Sequence, residues 1–142
     1  LDTHDWGETR SDLGESIGAA LLKIHRSYLN SIKVLQMAEM DIRGLAHITG
    51  GGFQDNLPRI LTEGVSALIR RGTWPELAIF KLIQQQGSIA DEEMFHVFNM
   101  GIGMLAIVPR EQVSRLEATL PDAAYVVGEI VAGSKQVILE SA

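Results

Sequence analysis

His47-Ile48-Thr49-Gly50-Gly51-Gly52-Phe53 is the stretch on which the reading of this chain turns. Leu45 to Thr49 reads as a short strand, and three adjacent glycines follow it directly. Glycine reaches backbone angles closed to other residues and lets a ligand come close to the main chain. Consecutive N–H groups in such a turn can converge on an anion. Asn56, Pro58 and Arg59 follow at once. The loop suits a phosphate or anhydride site, and it equally suits a tight turn packed against another backbone. The two common phosphate fingerprints are absent: no Gly-Lys-Ser/Thr follows the glycines, and no G-x-G-x-x-G opens a helix. Gly101-Ile102-Gly103 comes nearest, but Met104 through Val108 reads as strand.

Upstream of the loop, Leu1 to Asp12 is polar and aperiodic and is expected to be a linker or frayed start. Leu13-Gly14-Glu15 leads into an apolar stretch through Leu22. Tyr28, Leu29, Ile32 and Leu35 recur at three- to four-residue steps, which predicts a helix over 27–37, broken at 41–44. Downstream, Asn56 and Pro58 predict a short helix capped by Asn56, and Gly64 to Ile69 predicts a strand. A helix is expected over 75–86, with Thr73 as its cap and Gly87 as its stop. A second is expected over 91–98, with Ser88 in a weak capping pattern and Asp91, Glu92 and Glu93 complementing its dipole.

Ile102 to Val108 is a nearly continuous apolar run and predicts a strand buried on both faces. Pro109 opens a helix carrying Val113, Leu116 and Leu120. Tyr125 to Val131 and Gln136 to Leu139 are expected as closing strands. This mixture, with strand–helix–strand crossings, predicts an α+β or α/β layered domain with helices packed on a sheet.

The length of 142 residues and a hydrophobic content of 46% suit one folded domain with a real core. No apolar run is long enough to cross a bilayer. The formal charge of −6 argues against broad nucleic-acid or anionic-membrane binding, which needs a concentrated basic face. It leaves room for a small phosphorylated ligand held by one or two cations. The absence of cysteine excludes disulfides, thiolate catalysis and cysteine-ligated zinc, and it fits a reducing cytosol. The chain begins with Leu1, which is expected of a processed or excised segment.

Gly44-Leu45-Ala46-His47-Ile48-Thr49-Gly50-Gly51-Gly52-Phe53, then Asn56-Leu57-Pro58-Arg59, resembles the glycine-loop signature of the phosphoribosylformylglycinamidine cyclo-ligase (aminoimidazole ribonucleotide synthetase) family. Glu92-Glu93-Met94-Phe95 and Phe98-Asn99-Met100-Gly101-Ile102-Gly103-Met104 resemble a second block of that family. Trp74-Pro75, Gly128-Glu129-Ile130, Leu13-Gly14-Glu15 and Leu21-Leu22 fall where the family has similar elements. Two departures stand out. Thr62 sits where the family usually has proline, and His25-Arg26-Ser27-Tyr28 replaces a more regular Thr-Arg-Ile-Tyr pattern.

The resemblance covers residues 13 to about 137 and corresponds to the family's C-terminal domain, so residues 13–142 are expected to form one substrate-side domain. The resemblance implies an α+β fold with a layered mixed sheet. It also implies an ATP-dependent reaction in de novo purine biosynthesis. The formyl amide oxygen of formylglycinamidine ribonucleotide is activated and a nitrogen closes the imidazole ring. The products are aminoimidazole ribonucleotide, ADP and phosphate. ATP and Mg²⁺ are then bound mostly by an N-terminal domain of the same enzyme, with a homodimer at full length, a cytoplasmic setting and no nucleic-acid or membrane partner. Within the superfamily, a formylglycinamidine synthetase, selenophosphate synthetase or thiamine-phosphate kinase relative is the alternative. Outside it, the alternative is a non-catalytic binding module that keeps the fold.

With the resemblance as context, Gly50, Gly51 and Gly52 are expected to offer N–H groups to the substrate phosphate or reacting centre. Thr49 either adds a hydroxyl or ends the strand. His47 reads as a sheet histidine or as the proton carrier of ring closure, its free pKa lying near neutrality. Alternation puts it on the same face as Thr49. Arg59 pairs with a phosphate or with a surface carboxylate. Asn56 caps, binds ligand, or both. Asn99 is expected to stop a helix, Glu92 and Glu93 to be surface acids, and Trp74 to close a core edge. Met37, Met40, Met94, Met100 and Met104 are expected as core filler. His4, His25 and His96 have no ligand-like spacing, so no metal is expected from this domain alone.

Overall fold

The computed structural model describes residues 6–140. The chain begins with a hairpin, β1 (Thr9–Arg10) against β2 (Glu15–Ser16), rather than the frayed start expected up to Asp12. The Gly18 N–H donates to Trp6 O (3.0 Å) and anchors this end. Residues 1–5, His4 among them, lie outside the described part. Ser16 then caps α1 (Ile17–Leu21) through Oγ, which accepts from the Ala19 N–H at 3.1 Å. The periodic segment forms α2 (Leu29–Met37). Leu35 is its buried residue, whereas Leu29 and Met37 face solvent, so Met37 is not core filler.

The strand entering the glycines is β3 (Gly44–His47). It pairs antiparallel with β5 (Met104–Ile107), and the Ile48 N–H extends the ladder to Gly103 O (2.8 Å). Alternation holds through the segment: Ala46 and Ile48 are buried, His47 and Thr49 exposed. The expectation that 102–108 would be buried on both faces is corrected, because β5 has one strand neighbour and exposes Ala106. The central strand is instead β4 (Val65–Arg70). It lies antiparallel to β6 (Gly128–Ala132) and parallel to β7 (Val137–Glu140). The fold is thus α+β with a mixed sheet, as expected, but its strands are divided between separate ladders.

Helix α3 (Gly52–Asn56) follows the glycines and runs into a 3₁₀ turn at Leu57–Arg59. Helix α4 spans Ala78–Gly87 and α5 spans Asp91–Val97. Thr73 does not cap α4. Its hydroxyl donates to Arg70 O (2.9 Å), and the helix starts only at Ala78, five residues on, with Trp74 drawn into the core between them. Nor does Ser88 cap α5, since it ends α4 in a left-handed conformation. A 3₁₀ turn at Arg110–Gln112 leads into α6 (Val113–Thr119).

The main core is built round Phe53, Trp74 and Phe95, whose ring centroids stand 5.7–6.4 Å apart, at the offset distances aromatic rings prefer. Ile48, Met94 and Met100 fill the space beside them. Trp74 Nε1 donates to Met100 O (2.9 Å), so its buried polar atom is satisfied. A second cluster joins Leu35, Met40 and Leu116.

Arg70 ends β4 and ties the sheet together, pairing with Glu129 of β6 and with Glu140 of β7 (3.2 Å). The Arg70 hydrogen bond holds the Glu129 carboxyl below its ordinary range. The unfolded chain therefore takes up this proton at a higher pH than the folded one. The contribution is complete above the unfolded carboxylate range and disappears as pH falls through the lower folded value. Glu129→Gln is accordingly expected to reduce stability near neutral pH and to match the parent in acid. Denaturant melts at both pH values test this, and an equal deficit at both would refute it.

Candidate functional site

The glycine loop is built by division of labour. Gly51 and Gly52 both have positive φ, 91° and 53°, while Gly50 does not. Gly52 is buried: a Cβ there would lie 2.1 Å from Phe95 O, so α3 rests directly on the backbone of α5. Its N–H donates to Thr49 O (3.1 Å), closing the turn. Gly50 is exposed, with nothing within 4 Å of a Cβ position. The N–H groups of Gly50 and Gly51 meet no protein acceptor among the described residues. The loop thus holds the two sequence readings at once, a packed turn at Gly52 and bare amides at Gly50 and Gly51.

Asn56 does not cap the turn that follows it. Its side chain is 4% exposed and points back into the loop, where Nδ2 donates to Gly50 O (3.3 Å) and Gly52 O (2.7 Å). Thr49 Oγ1 donates to Asn56 Oδ1 at 3.4 Å. Asn56 is therefore a clamp that turns the loop carbonyls inward. Arg59 is exposed and has no carboxylate within ion-pair distance among the described residues, so the surface salt bridge weighed for it does not form.

His47 is exposed at the end of β3. Its Nε2 lies 3.2 Å from Nε2 of His25, which sits in the link between α1 and α2. Tyr28 packs against both rings, at 5.6 and 6.2 Å. His25 and Tyr28 escaped the sequence reading because their sequence spacing from His47 carries no pattern. The signal that was available is the departure of residues 25–28 from the family motif. Asn99 accepts from the Gly101 N–H at 3.0 Å and so shapes the turn into β5.

A hollow of about 900 Å³ lies beside this cluster, lined by Leu45 and Leu105 of the two-stranded ladder, Ala67 and Ile69 of β4, and Phe80 and Ile83 of α4. His25, Tyr28 and Gly103 also line it, whereas His47, Thr49, Gly50, Gly51, Gly52, Asn56 and Arg59 do not. The expected site residues thus face solvent or the loop interior outside this hollow, with His25 and Tyr28 between His47 and it. No three His, Asp or Glu side chains converge on one point among the described residues. Mg²⁺ prefers several oxygen ligands, and no such group of side chains is gathered among the described residues. Among the described residues, no helix is long and apolar enough to cross a membrane.

The profile of the family described as AIR synthase related protein, C-terminal domain, matches residues 2–140. A phosphoribosylformylglycinamidine cyclo-ligase of Alkaliphilus metalliredigens is 48% identical over 131 residues, covering 89% of this chain and 37% of its own. One from Caldanaerobacter subterraneus is 45% identical, covering 90% and 38%. The chain therefore spans well under half the length of these relatives. Among solved structures, a chain in a crystal structure of a HypE–HypF complex aligns with a TM-score of 0.57 at 19% identity, over 92% of this chain and 46% of that one. That likeness concerns the fold.

Proposed function

Since the chain belongs to the AIR synthase related protein family, as its C-terminal domain, we propose that it is the substrate-side domain of an ATP-dependent phosphoribosylformylglycinamidine cyclo-ligase in de novo purine biosynthesis. In this reading residues 13–142 hold formylglycinamidine ribonucleotide. The N-terminal domain of the same enzyme, within a cytoplasmic homodimer, binds ATP with Mg²⁺. The observation that carries the reading is the pair of unpaired amides at the exposed Gly50 and the half-buried Gly51, beside a clamped turn.

Each residue then has a chemical task. The Gly50 and Gly51 N–H groups hold a phosphate or the developing charge on the activated oxygen, a form of stabilisation that costs no reorganisation when the donors are fixed in advance. Asn56 and the Gly52 contact with α5 do that fixing. Thr49 adds a hydroxyl on the same exposed face. Arg59, free of a protein carboxylate, offers a planar guanidinium to the ribose phosphate. His47 accepts the proton that the attacking nitrogen loses as the ring closes. The ring closes when that nitrogen is kept within near-attack distance of the activated carbon and water is shut out.

Arg59→Ala is expected to weaken binding of formylglycinamidine ribonucleotide to the 142-residue chain roughly tenfold or more, since a charge-assisted hydrogen bond contributes about 1.5–3 kcal/mol. Calorimetry reads this directly, and unchanged affinity would remove Arg59 from the site. Mixed with substrate and ATP, the chain alone is expected to release no phosphate. Brisk release would contradict a site completed by another domain.

A further inference from the structure

His25 and His47 stand 22 residues apart in sequence and belong to different elements, yet their Nε2 atoms meet at 3.2 Å. The ring centroids lie 5.3 Å apart at 51°, so the imidazoles approach tip to tip rather than stacking. Both residues are exposed. The arrangement is built rather than incidental. Tyr28 backs both rings. Gly103 lies under them, where a Cβ would fall 2.1 Å from the Tyr28 hydroxyl and 2.9 Å from His25 Cε1. The link carrying His25 is tied down on both sides, Lys23 to Glu15 (2.5 Å) and Arg26 to Asp122.

Two facing Nε2 atoms can share a proton, or both lone pairs can take a cation. Metal–imidazole bonds of about 2.0–2.1 Å subtend a 3.2 Å separation at an angle of roughly 100°, close to tetrahedral. We propose that His25 and His47 form a two-histidine chelate for a zinc-class divalent cation, with the remaining positions open to water. Imidazole nitrogen selects zinc, nickel or copper, whereas Mg²⁺ takes oxygen ligands. The site is therefore separate from any Mg²⁺ that accompanies ATP, and it does not depend on the ring-closing role of His47. Both Nε2 lone pairs must be free to bind the cation, so metal affinity falls as pH is lowered.

The test is a calorimetric titration of the untagged 142-residue chain with Zn²⁺ near neutral pH, together with histidine ring NMR spectra. One saturable equivalent is expected, with the His25 and His47 ring signals moving together. His25→Gln and His47→Gln should each weaken binding by about tenfold or more, since each removes one of two protein ligands. Gly103→Ala should weaken it too, by pushing Tyr28 and His25 aside. His96 lies near Asp55 (3.8 Å) and Glu93 (4.0 Å) and is the competing candidate, so His96→Gln and His4→Gln should change nothing. Three results would overturn the proposal: no saturable binding below roughly 1 mM, shifts confined to other histidines, or loss of binding in His96→Gln with His25→Gln unaffected.

Discussion

Gly52→Ala is expected to destabilise the fold by about 2–5 kcal/mol. The new methyl group would sit 2.1 Å from Phe95 O, a backbone atom that moves only if α5 moves with it. Overpacking of this kind costs about 1–3 kcal/mol. Gly52 also has φ of 53°, and left-handed backbone costs an L-residue about 1–2 kcal/mol more. For a chain of this size the melting temperature should fall by roughly 10 °C. Gly50→Ala is the internal control. Nothing lies within 4 Å of its Cβ position and its φ is not positive, so the change should stay within about 0.5 kcal/mol. Thermal melts of the two variants decide the matter. If Gly52→Ala melts with the parent, α3 and α5 do not touch as described, and the loop loses the support that holds its amides in place.

Trp74→Ala is expected to cost about 4–6 kcal/mol. Truncating a buried aromatic ring costs about 3–5 kcal/mol, and the stranded Met100 carbonyl adds to it. A domain is commonly stable by about 5–15 kcal/mol, so this variant should sit close to unfolding. Trp74→Phe keeps most of the ring and loses the Nε1 hydrogen bond, which sets its cost at about 1–3 kcal/mol. Denaturant midpoints for the pair separate packing from hydrogen bonding. Equal losses would mean that the ring contributes little beyond its N–H. Because Trp74 packs on Phe53 next to the glycines and bonds to the turn before Gly103, its loss should also loosen both walls around His47.

The glycine loop explains why part of the site was legible before any coordinates. A strand with buried Ala46 and Ile48 must present His47 and Thr49 on its other face, because side chains alternate along a strand. Consecutive glycines announce backbone that no side chain covers, and Gly50 is such backbone, whereas the Asp55 side chain stands against Gly51. Local pattern could not divide the three glycines, however. Whether a Cβ would strike another element depends on where α5 lies, and that choice belongs to the packing of Phe53, Trp74 and Phe95. Asn56 shows the same limit. Its residue type suited a cap, but its position at the end of α3 lets the amide reach back to two carbonyls instead.

The strand errors have a related cause. Residues 102–108 carry the apolar run of a central strand, yet β5 pairs with β3 alone and exposes Ala106. Hydrophobic runs record burial by any neighbour, helix or sheet, and do not say which strand lies at the centre. Here β4 takes that place because β6 and β7 flank it from opposite sides. Thr73 and Ser88 likewise offered capping hydroxyls. Each was overruled when a neighbouring demand, the burial of Trp74 or the left-handed end of α4, set the backbone first.

By itself the amino-acid sequence determined a layered domain with helices packed on a sheet, the shared face of His47 and Thr49, and the family to which the chain belongs. All three follow from periodicity, glycine placement and spaced motifs, which are local or ordered along the chain. The tertiary structure alone decided which glycine is packed and which is bare, that Asn56 clamps, and that His25 meets His47. Those facts depend on distances between elements far apart in sequence. The packing of side chains in three dimensions sets such distances, and no spacing along the chain encodes them.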